Sequence, residues 1–294
     1  MGSGALQQMA ARLEGGARVL TVSGVAGGAK ALAIAKAVLT ENRPTAVITP
    51  SNAEAQNLAQ ELRFYIDLLT PSPVPVILLP SLEVDPYRGL SPHPETAAAR
   101  AKALWQLLQD GPKVLVASVR AASVRLHAPE RFLNYCLMLK QEEDMSPDMI
   151  REYLFESGYI EDDPVTDPGE FSLRGGILDV FPPHLENPMR LEFFGDRIES
   201  IRSFDVDTQR SVETVRTVEI IPMREYCFRR DLLREWADKA SSFWSEPFMP
   251  HLHEELALAR QGEMFPAFEF LLPAADPLEK SLFDYLRGYR MVVV

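Results

Sequence analysis

The sequence contains, at residues 45–69, the segment TAVITPSNAEAQNLAQELRFYIDLL. Its first five residues are apolar or β-branched, which is typical of a short buried strand. Pro50 ends that strand, and Ser51 is placed to cap a following helix. The apolar positions that recur in this helix at helical spacing are Ala55, Leu58, Ala59, Leu62 and Ile66. A strand followed at once by an amphipathic helix is the unit from which α/β proteins are built.

Similar patterns flank this unit on both sides. Further strands are predicted at residues 18–23, 74–79 and 113–118, and a second amphipathic helix is predicted over 96–109. This alternation predicts an α/β fold, a parallel sheet with helices on both faces. The apolar run at 289–294 is expected to be the last strand of the same sheet, at which the chain has been truncated.

The middle of the chain has a different pattern. A helix is predicted from a cap at about Ser146 to Gly158, and strands are predicted at 171–181, 189–194 and 197–204. The last two of these strands are separated only by Gly-Asp, which is typical of a two-residue hairpin turn. These features predict a small α+β unit.

The two patterns together predict a domain organisation. Residues 1–127 and 222–294 are predicted to form the two parts of the α/β domain, because the last strand returns to the first sheet. Residues 128–221 are then a small α+β domain inserted between them.

The composition excludes several classes of protein. The 294 residues are 46% hydrophobic and 24% charged, and no apolar run approaches the ~18 residues of a membrane span. The net charge of −12 argues against non-specific phosphate binding by the whole surface. Cys136 and Cys227 are far apart in the sequence, so neither a disulfide framework nor a zinc site is indicated. A cytoplasmic location is expected, since the first residues lack a secretory signal.

A glycine-rich segment at residues 22–32, VSGVAGGAKAL, lies between a predicted strand and a helix, where a phosphate-binding loop belongs. The residues of this degenerate loop are Gly24, Gly28, Ala29, Lys30 and Ala31. Gly24 and Lys30 fit the pattern G-x-x-x-x-G-K-[ST]. Ala29 replaces the second glycine and Ala31 the magnesium-binding hydroxyl. Two interpretations stay open, an ATPase and a loop kept only as a strand-to-helix turn.

Other catalytic patterns are weaker still. No D-E-x-x sequence of the Walker-B type follows a strand and no G-x-S-x-G motif occurs, so no catalytic residue is predicted. His251 and His253 are two residues apart, a spacing that points them to different faces of a helix, and no metal site is predicted. The acidic clusters at 142–144 and 161–163 lie in predicted loops, where charge runs are usually solvated.

Strand alternation divides residues 189–194 between two faces. Met189, Leu191 and Phe193 share one face, and Arg190, Glu192 and Phe194 share the other. If the first face is core, Phe194 is exposed beside an arginine, a composition typical of a protein-binding hot spot. The alternative, that a neighbouring helix covers Phe194, stays open on parity alone. Arg174 can reach the same surface from the adjacent strand, in a direction that depends on a glycine bulge.

Two longer segments carry a family resemblance. Residues 171–183 read FSLRGGILDVFPP and residues 189–205 read MRLEFFGDRIESIRSFD. They resemble the UvrB-homology module of the bacterial transcription-repair coupling factors (Mfd). LPSLEVDPY at 79–87, SPHPE at 91–95 and VDTQRS at 206–211 are similar to that family too. The resemblance covers most of the chain but only the amino-terminal part of a much longer family protein, without its motor and RNA-polymerase-interacting domains.

The resemblance implies a function. The first domain would be an ATPase-like fold without activity, and the inserted domain would dock on the repair protein UvrA by mimicking UvrB. In related family proteins the UvrA contacts fall in the R-G-x-x-x-D-x-F-P strand and the following x-R-x-x-F-F strand. By motif, these contacts are Arg174, Arg190 and Phe194 here. The chain is thus expected to be a non-catalytic recruitment module without a cofactor, which links stalled RNA polymerase to nucleotide excision repair.

In such a family protein the other domains would bind RNA polymerase, DNA, ATP and magnesium, because the resembled parent is an ATP-dependent DNA translocase. Three alternatives are weighed against recruitment. UvrB itself resembles a live ATPase with a long Tyr-rich hairpin, whereas here residues 80–95 are short and contain only Tyr87. A residual nucleotide- or DNA-binding domain would use Lys30, and a third possibility is a module that inhibits the motor of the parent.

Overall fold

The computed structural model describes residues 3–15, 19–245 and 249–294. The helices, in chain order, are α1 (Ser3–Glu14), α2 (Gly28–Glu41), α3 (Asn52–Leu69), α4 (Pro94–Leu108), α5 (Val119–Ala122), α6 (Pro129–Leu133), α7 (Pro147–Glu156), α8 (Arg230–Phe243), α9 (His253–Gln261), α10 (Phe268–Leu271) and α11 (Leu282–Tyr285). The strands are β1 (Thr45–Thr49), β2 (Val76–Leu79), β3 (Val114–Ser118), β4 (Leu137–Lys140), β5 (Ile160–Glu161), β6 (Glu170–Arg174), β7 (Ile177–Val180), β8 (Met189–Phe194), β9 (Arg197–Phe204), β10 (Ser211–Val215), β11 (Thr217–Ile220) and β12 (Arg290–Val293).

The described residues fall into two compact units. The first contains the residues up to Ser81, residues 106–124 and residues 281–294. The second contains residues 82–105 and 125–280. The four-stranded sheet of the first unit and the six-stranded sheet of the second have separate hydrophobic cores.

The first unit is built on a four-stranded sheet in the order β12-β1-β3-β2, with every pairing parallel. All residues of β1 and β3 are buried, as expected for central strands of a parallel sheet. One face packs against α2 and α3 through Val47, Val114 and Val116. The hydroxyl of Ser51 accepts a hydrogen bond from the Glu54 amide and so caps α3. The α/β class with a parallel sheet is therefore confirmed, and the last strand joins this sheet as predicted.

The strand predicted at 18–23 is wrong over its described part, because residues 19–23 have no regular structure. Arg18, where it was predicted to begin, lies outside the described residues. Val19 is 85% exposed and Val22 is 44% exposed, so the β-branched side chains of this segment gain no burial. A segment of so few residues, even one of high strand propensity, forms a stable strand only when it pairs within a sheet.

The second unit contains a six-stranded sheet in the order β10-β9-β8-β7-β6-β5. All its pairings are antiparallel except that of β5 with β6. The segment predicted as one strand at 171–181 is two strands, since Gly175 and Gly176 both have positive φ and form a turn. The predicted strands at 189–194 and 197–204 are confirmed, with Gly195-Asp196 as the two-residue turn between them.

One face of this sheet forms the core of the unit. Its buried side chains include Phe171, Leu178, Leu191 and Ile201, which pack with Ile150 and Leu154 of α7 and with residues of the antiparallel β11–β4 pair. The opposite face carries most of the charged positions of the same strands, together with the buried ring of Phe204, over which Arg190 lies.

A helical part of the second unit has a separate core. Trp236 of α8 is fully buried against Phe265 and Phe268, with ring centroids 5.1 and 5.7 Å away. Residues 222–280, which the sequence pattern grouped with the parallel sheet, pack with the second unit, and from Ser281 onward the chain belongs to the first unit. These helices bury their apolar faces against one another, so they need no sheet to cover them.

Candidate functional site on the outer face of the six-stranded sheet

Side chains that point away from the core define one face of the second unit. We call it the outer face; its residues are Arg174 (β6), Ile177 and Asp179 (β7), Arg190, Glu192 and Phe194 (β8), and Ser200 and Arg202 (β9). Strand register places them in rows, because Asp179 is opposite Arg190, which is opposite Arg202. The next row holds Arg174, Ile177, Glu192 and Ser200. Directly opposed side chains of this kind interact across the strands.

Arg190 and Asp179 form a bidentate ion pair at the centre of this face. Arg190 Nε donates to Asp179 Oδ1 at 2.6 Å and Arg190 Nη2 donates to Oδ2 at 2.7 Å. The Asp179 side chain is only 4% exposed and that of Arg190 19%, so the pair is largely shielded from water. Arg190 also lies over the ring of Phe204 at 4.5 Å. The hydrogen bonds that Arg190 donates to Asp179 raise the pKa of the guanidinium and fix it in one orientation.

Arg174 is held more loosely at the edge of the same cluster. Its Nη1 donates to Asp163 Oδ2 at 2.8 Å, and its Nη2 lies 3.8 Å from Asp179 Oδ2. The Arg174 side chain is 58% exposed and that of Asp163 is 44% exposed. Arg174 and Arg190 thus share the Asp179 carboxylate, and Arg174 keeps more contact with solvent.

Phe194 lies at the end of β8, four residues beyond Arg190. The register shifts between Glu192 and Phe193, but alternation persists because Phe193 packs on the core while Phe194 is 76% exposed. Phe194 is directly opposite Arg197, next to the turn. Of the two interpretations left open by parity, the exposed one is therefore confirmed among the described residues.

The remaining polar residues of the outer face pair with each other. Ser200 donates its hydroxyl to Glu192 Oε2 at 2.7 Å, and Arg202 donates to Glu192 Oε1. The Ser200 hydrogen bond, together with the charge of Arg202, lowers the pKa of Glu192. Glu192 is therefore ionised at neutral pH and already has two partners.

The degenerate phosphate loop lies in the first unit and is not part of this face. α2 begins at Gly28, preceded by Gly27 with a φ of 56°, and no side chain caps it. Ala31, at the position of the magnesium-binding hydroxyl, is fully buried in the core beside α3. Residues 19–23 before the loop are not a strand, so the strand–loop–helix order of a working phosphate loop is not present in the described residues.

Sequence reasoning placed Arg174, Arg190 and Phe194 on a common surface, and the structure brings the two arginines together around Asp179. It missed Asp179 and Asp163 as their partners. A signal for Asp179 was available in the sequence. It is the charged residue of the otherwise apolar strand β7, and a charge in such a strand needs a partner. Nothing local pointed to Asp163, whose pairing with Arg174 spans eleven residues.

The described residues hold no group of three or more His, Cys, Asp and Glu side chains that could bind a metal ion. Burial raises the pKa of the Cys136 thiol to about 12 and that of Cys227 to about 11, so both thiols stay protonated at neutral pH. Among the described helices, none is both long and apolar enough to cross a membrane.

The outer face lies within residues 137–226, which match the family model described as the UvrB interaction domain. This part of the chain is therefore similar to that domain. Over nearly its whole length the chain is similar to proteins named transcription-repair-coupling factor, and the resemblance drawn from the sequence motifs is confirmed.

Three of these relatives come from named bacteria. The chain is 34% identical to the Myxococcus xanthus protein over 293 residues, which are 96% of this chain and 24% of that protein. It is 30% identical to the Escherichia coli protein (91% of this chain, 23% of that protein) and 30% identical to the Haemophilus influenzae protein (88% and 22%). The chain therefore spans less than a quarter of the length of the curated relatives it matches.

Proposed function

We propose that this chain is a non-catalytic recruitment module that binds UvrA through the outer face. One observation carries the proposal: Phe194, a large aromatic side chain, is 76% exposed on the face that also carries Arg174 and Arg190, in the part of the chain that matches the UvrB interaction domain. Exposed aromatic residues beside arginines are enriched at the centres of protein interfaces. Phe194 is the proposed apolar anchor, and UvrA the proposed partner.

The two arginines have different proposed roles. Asp179 fixes the side chain of Arg190. The conformational entropy of this side chain is therefore lost on folding and not on binding. Arg174 is half-exposed and donates charge-assisted hydrogen bonds to carboxylates on the partner. In a full-length coupling factor, binding of this kind would bring excision repair to stalled RNA polymerase.

Titration calorimetry of the chain into purified UvrA tests the proposal. We expect saturable binding, weakened about tenfold by Arg174→Ala because one charge-assisted contact is lost. Arg88→Ala is the matched control, since Arg88 is 75% exposed but does not belong to the outer face, and it should leave the affinity unchanged. Absence of heat from the wild-type chain at concentrations well above micromolar would refute UvrA binding.

The proposal includes the absence of nucleotide binding by the loop around Lys30. Addition of millimolar ATP with magnesium is expected to leave the Tm of the chain unchanged within about 1 °C, because a ligand stabilises a protein only by binding its folded state. The physical reason is the loss of the loop hydroxyl, whose position is taken by the buried Ala31. A clear rise in Tm that Lys30→Ala removes would instead favour a residual nucleotide-binding domain.

A further inference from the structure

The acidic segment at residues 161–163 has no role in the proposed contact, and the sequence pattern indicated a solvated loop. In the structure two of its carboxylates are paired. Glu161 accepts from Arg151 at 2.7 Å, and Asp163 accepts from Arg174 at 2.8 Å. The second pair connects the acidic segment to the outer face.

The pairing of Asp163 is specific in its geometry. Arg174 has two carboxylates near it, but Asp179 already accepts both hydrogen bonds from Arg190 and lies 3.8 Å from Arg174. Asp163 is the shorter contact and is itself 44% exposed. Asp163 therefore accepts the hydrogen bond that Arg174 could donate to a carboxylate of a partner protein.

We propose that Asp163 is an internal competitor for Arg174, which a carboxylate of the docking partner has to displace. The inference rests on the proposed UvrA contact and makes Asp163 a specificity-determining residue within it. A partner without a carboxylate at this point leaves the internal pair intact and gains nothing from Arg174. A partner that has a carboxylate there replaces the Asp163–Arg174 ion pair with its own ion pair to Arg174.

Removal of the Asp163 charge is expected to raise the affinity for the partner, for two physical reasons. Arg174 no longer has to break a hydrogen bond before it binds the partner, and the partner carboxylate no longer approaches a like charge. Exposed ion pairs have small net strengths, so the gain is modest, about 2- to 5-fold in affinity. If Asp163 instead served to hold Arg174 in place for the partner, its removal would weaken binding.

The experiment is calorimetry of Asp163→Asn against UvrA beside the wild-type chain. We expect binding about 2- to 5-fold tighter, and a smaller gain when Asp163→Asn is added to Arg174→Ala, because only the like-charge effect remains once Arg174 is absent. Glu161→Gln is the matched control: it makes the same change of charge in the same segment but releases Arg151, so the affinity should not change. Thermal unfolding of each variant verifies that the fold is retained.

The outcomes separate this inference from the function on which it rests. Unchanged or weaker binding by Asp163→Asn, with normal binding by the wild-type chain, overturns the role of Asp163 and leaves the UvrA contact in place. An equal gain in Glu161→Gln also overturns it, since net charge would then explain the effect. No binding by the wild-type chain refutes the proposed function, and the inference with it.

Discussion

Substitution of Phe194 by alanine is expected to weaken binding to UvrA by at least about 30-fold, which corresponds to roughly 2 kcal/mol or more, the usual threshold of a hot-spot residue. The physical reason is that the ring is 76% exposed in the free chain, where it stabilises little, and loses that exposure only in a complex. The free energy of unfolding should therefore be nearly unchanged, and the whole effect should be seen in the affinity. Calorimetry and thermal unfolding of the same preparation measure the two quantities.

The chain offers a matched control for this substitution. Phe64 on α3 is 63% exposed, so Phe64→Ala removes a similar apolar area from a surface outside the outer face. We expect Phe64→Ala to bind UvrA as the wild-type chain does. Equal affinities for Phe194→Ala and the wild-type chain would remove Phe194 from the interface, whereas equal losses in both phenylalanine variants would indicate non-specific hydrophobic association.

Asp179→Ala is expected to destabilise the second unit by about 2–4 kcal/mol, because it removes two hydrogen bonds and the counter-charge of the largely buried Arg190 guanidinium and leaves it only the 3.3 Å hydrogen bond to Gln209. The lower end applies if Arg190 swings toward solvent, which its 19% exposure permits. Urea unfolding followed by circular dichroism measures the change in the free energy of unfolding. Asp163→Ala breaks a half-exposed pair and is the control, with an expected cost below about 1 kcal/mol.

A double-variant cycle tests whether this cost comes from the pair. Asp179→Ala/Arg190→Ala removes both charges, so its destabilisation should be at least about 1 kcal/mol smaller than the sum of the two single substitutions. Additive losses would show that Asp179 stabilises the sheet through contacts other than Arg190.

The sequence alone determined the features that depend on local pattern. The helix at Asn52–Leu69 was predicted with its observed bounds, because its cap and its apolar spacing agree. The strand Met189–Phe194 and its Gly195-Asp196 turn were predicted for the same reason. Alternation then separated Phe193 from Phe194, since successive side chains of a strand point to opposite faces.

Only the tertiary structure decided the features that depend on long-range partners. Residues 19–23 have strand-like composition, yet they form no strand, because a strand is stable only where a sheet accepts it. The helices between residues 222 and 280 pack with the second unit, which no local pattern specifies. Arg190 and Arg174 were placed on one surface by the sequence. Arg190 is fixed by the buried Asp179, which strand register places opposite it, and Arg174 is engaged by the exposed Asp163 of a loop. Both ion pairs form only in the folded second unit.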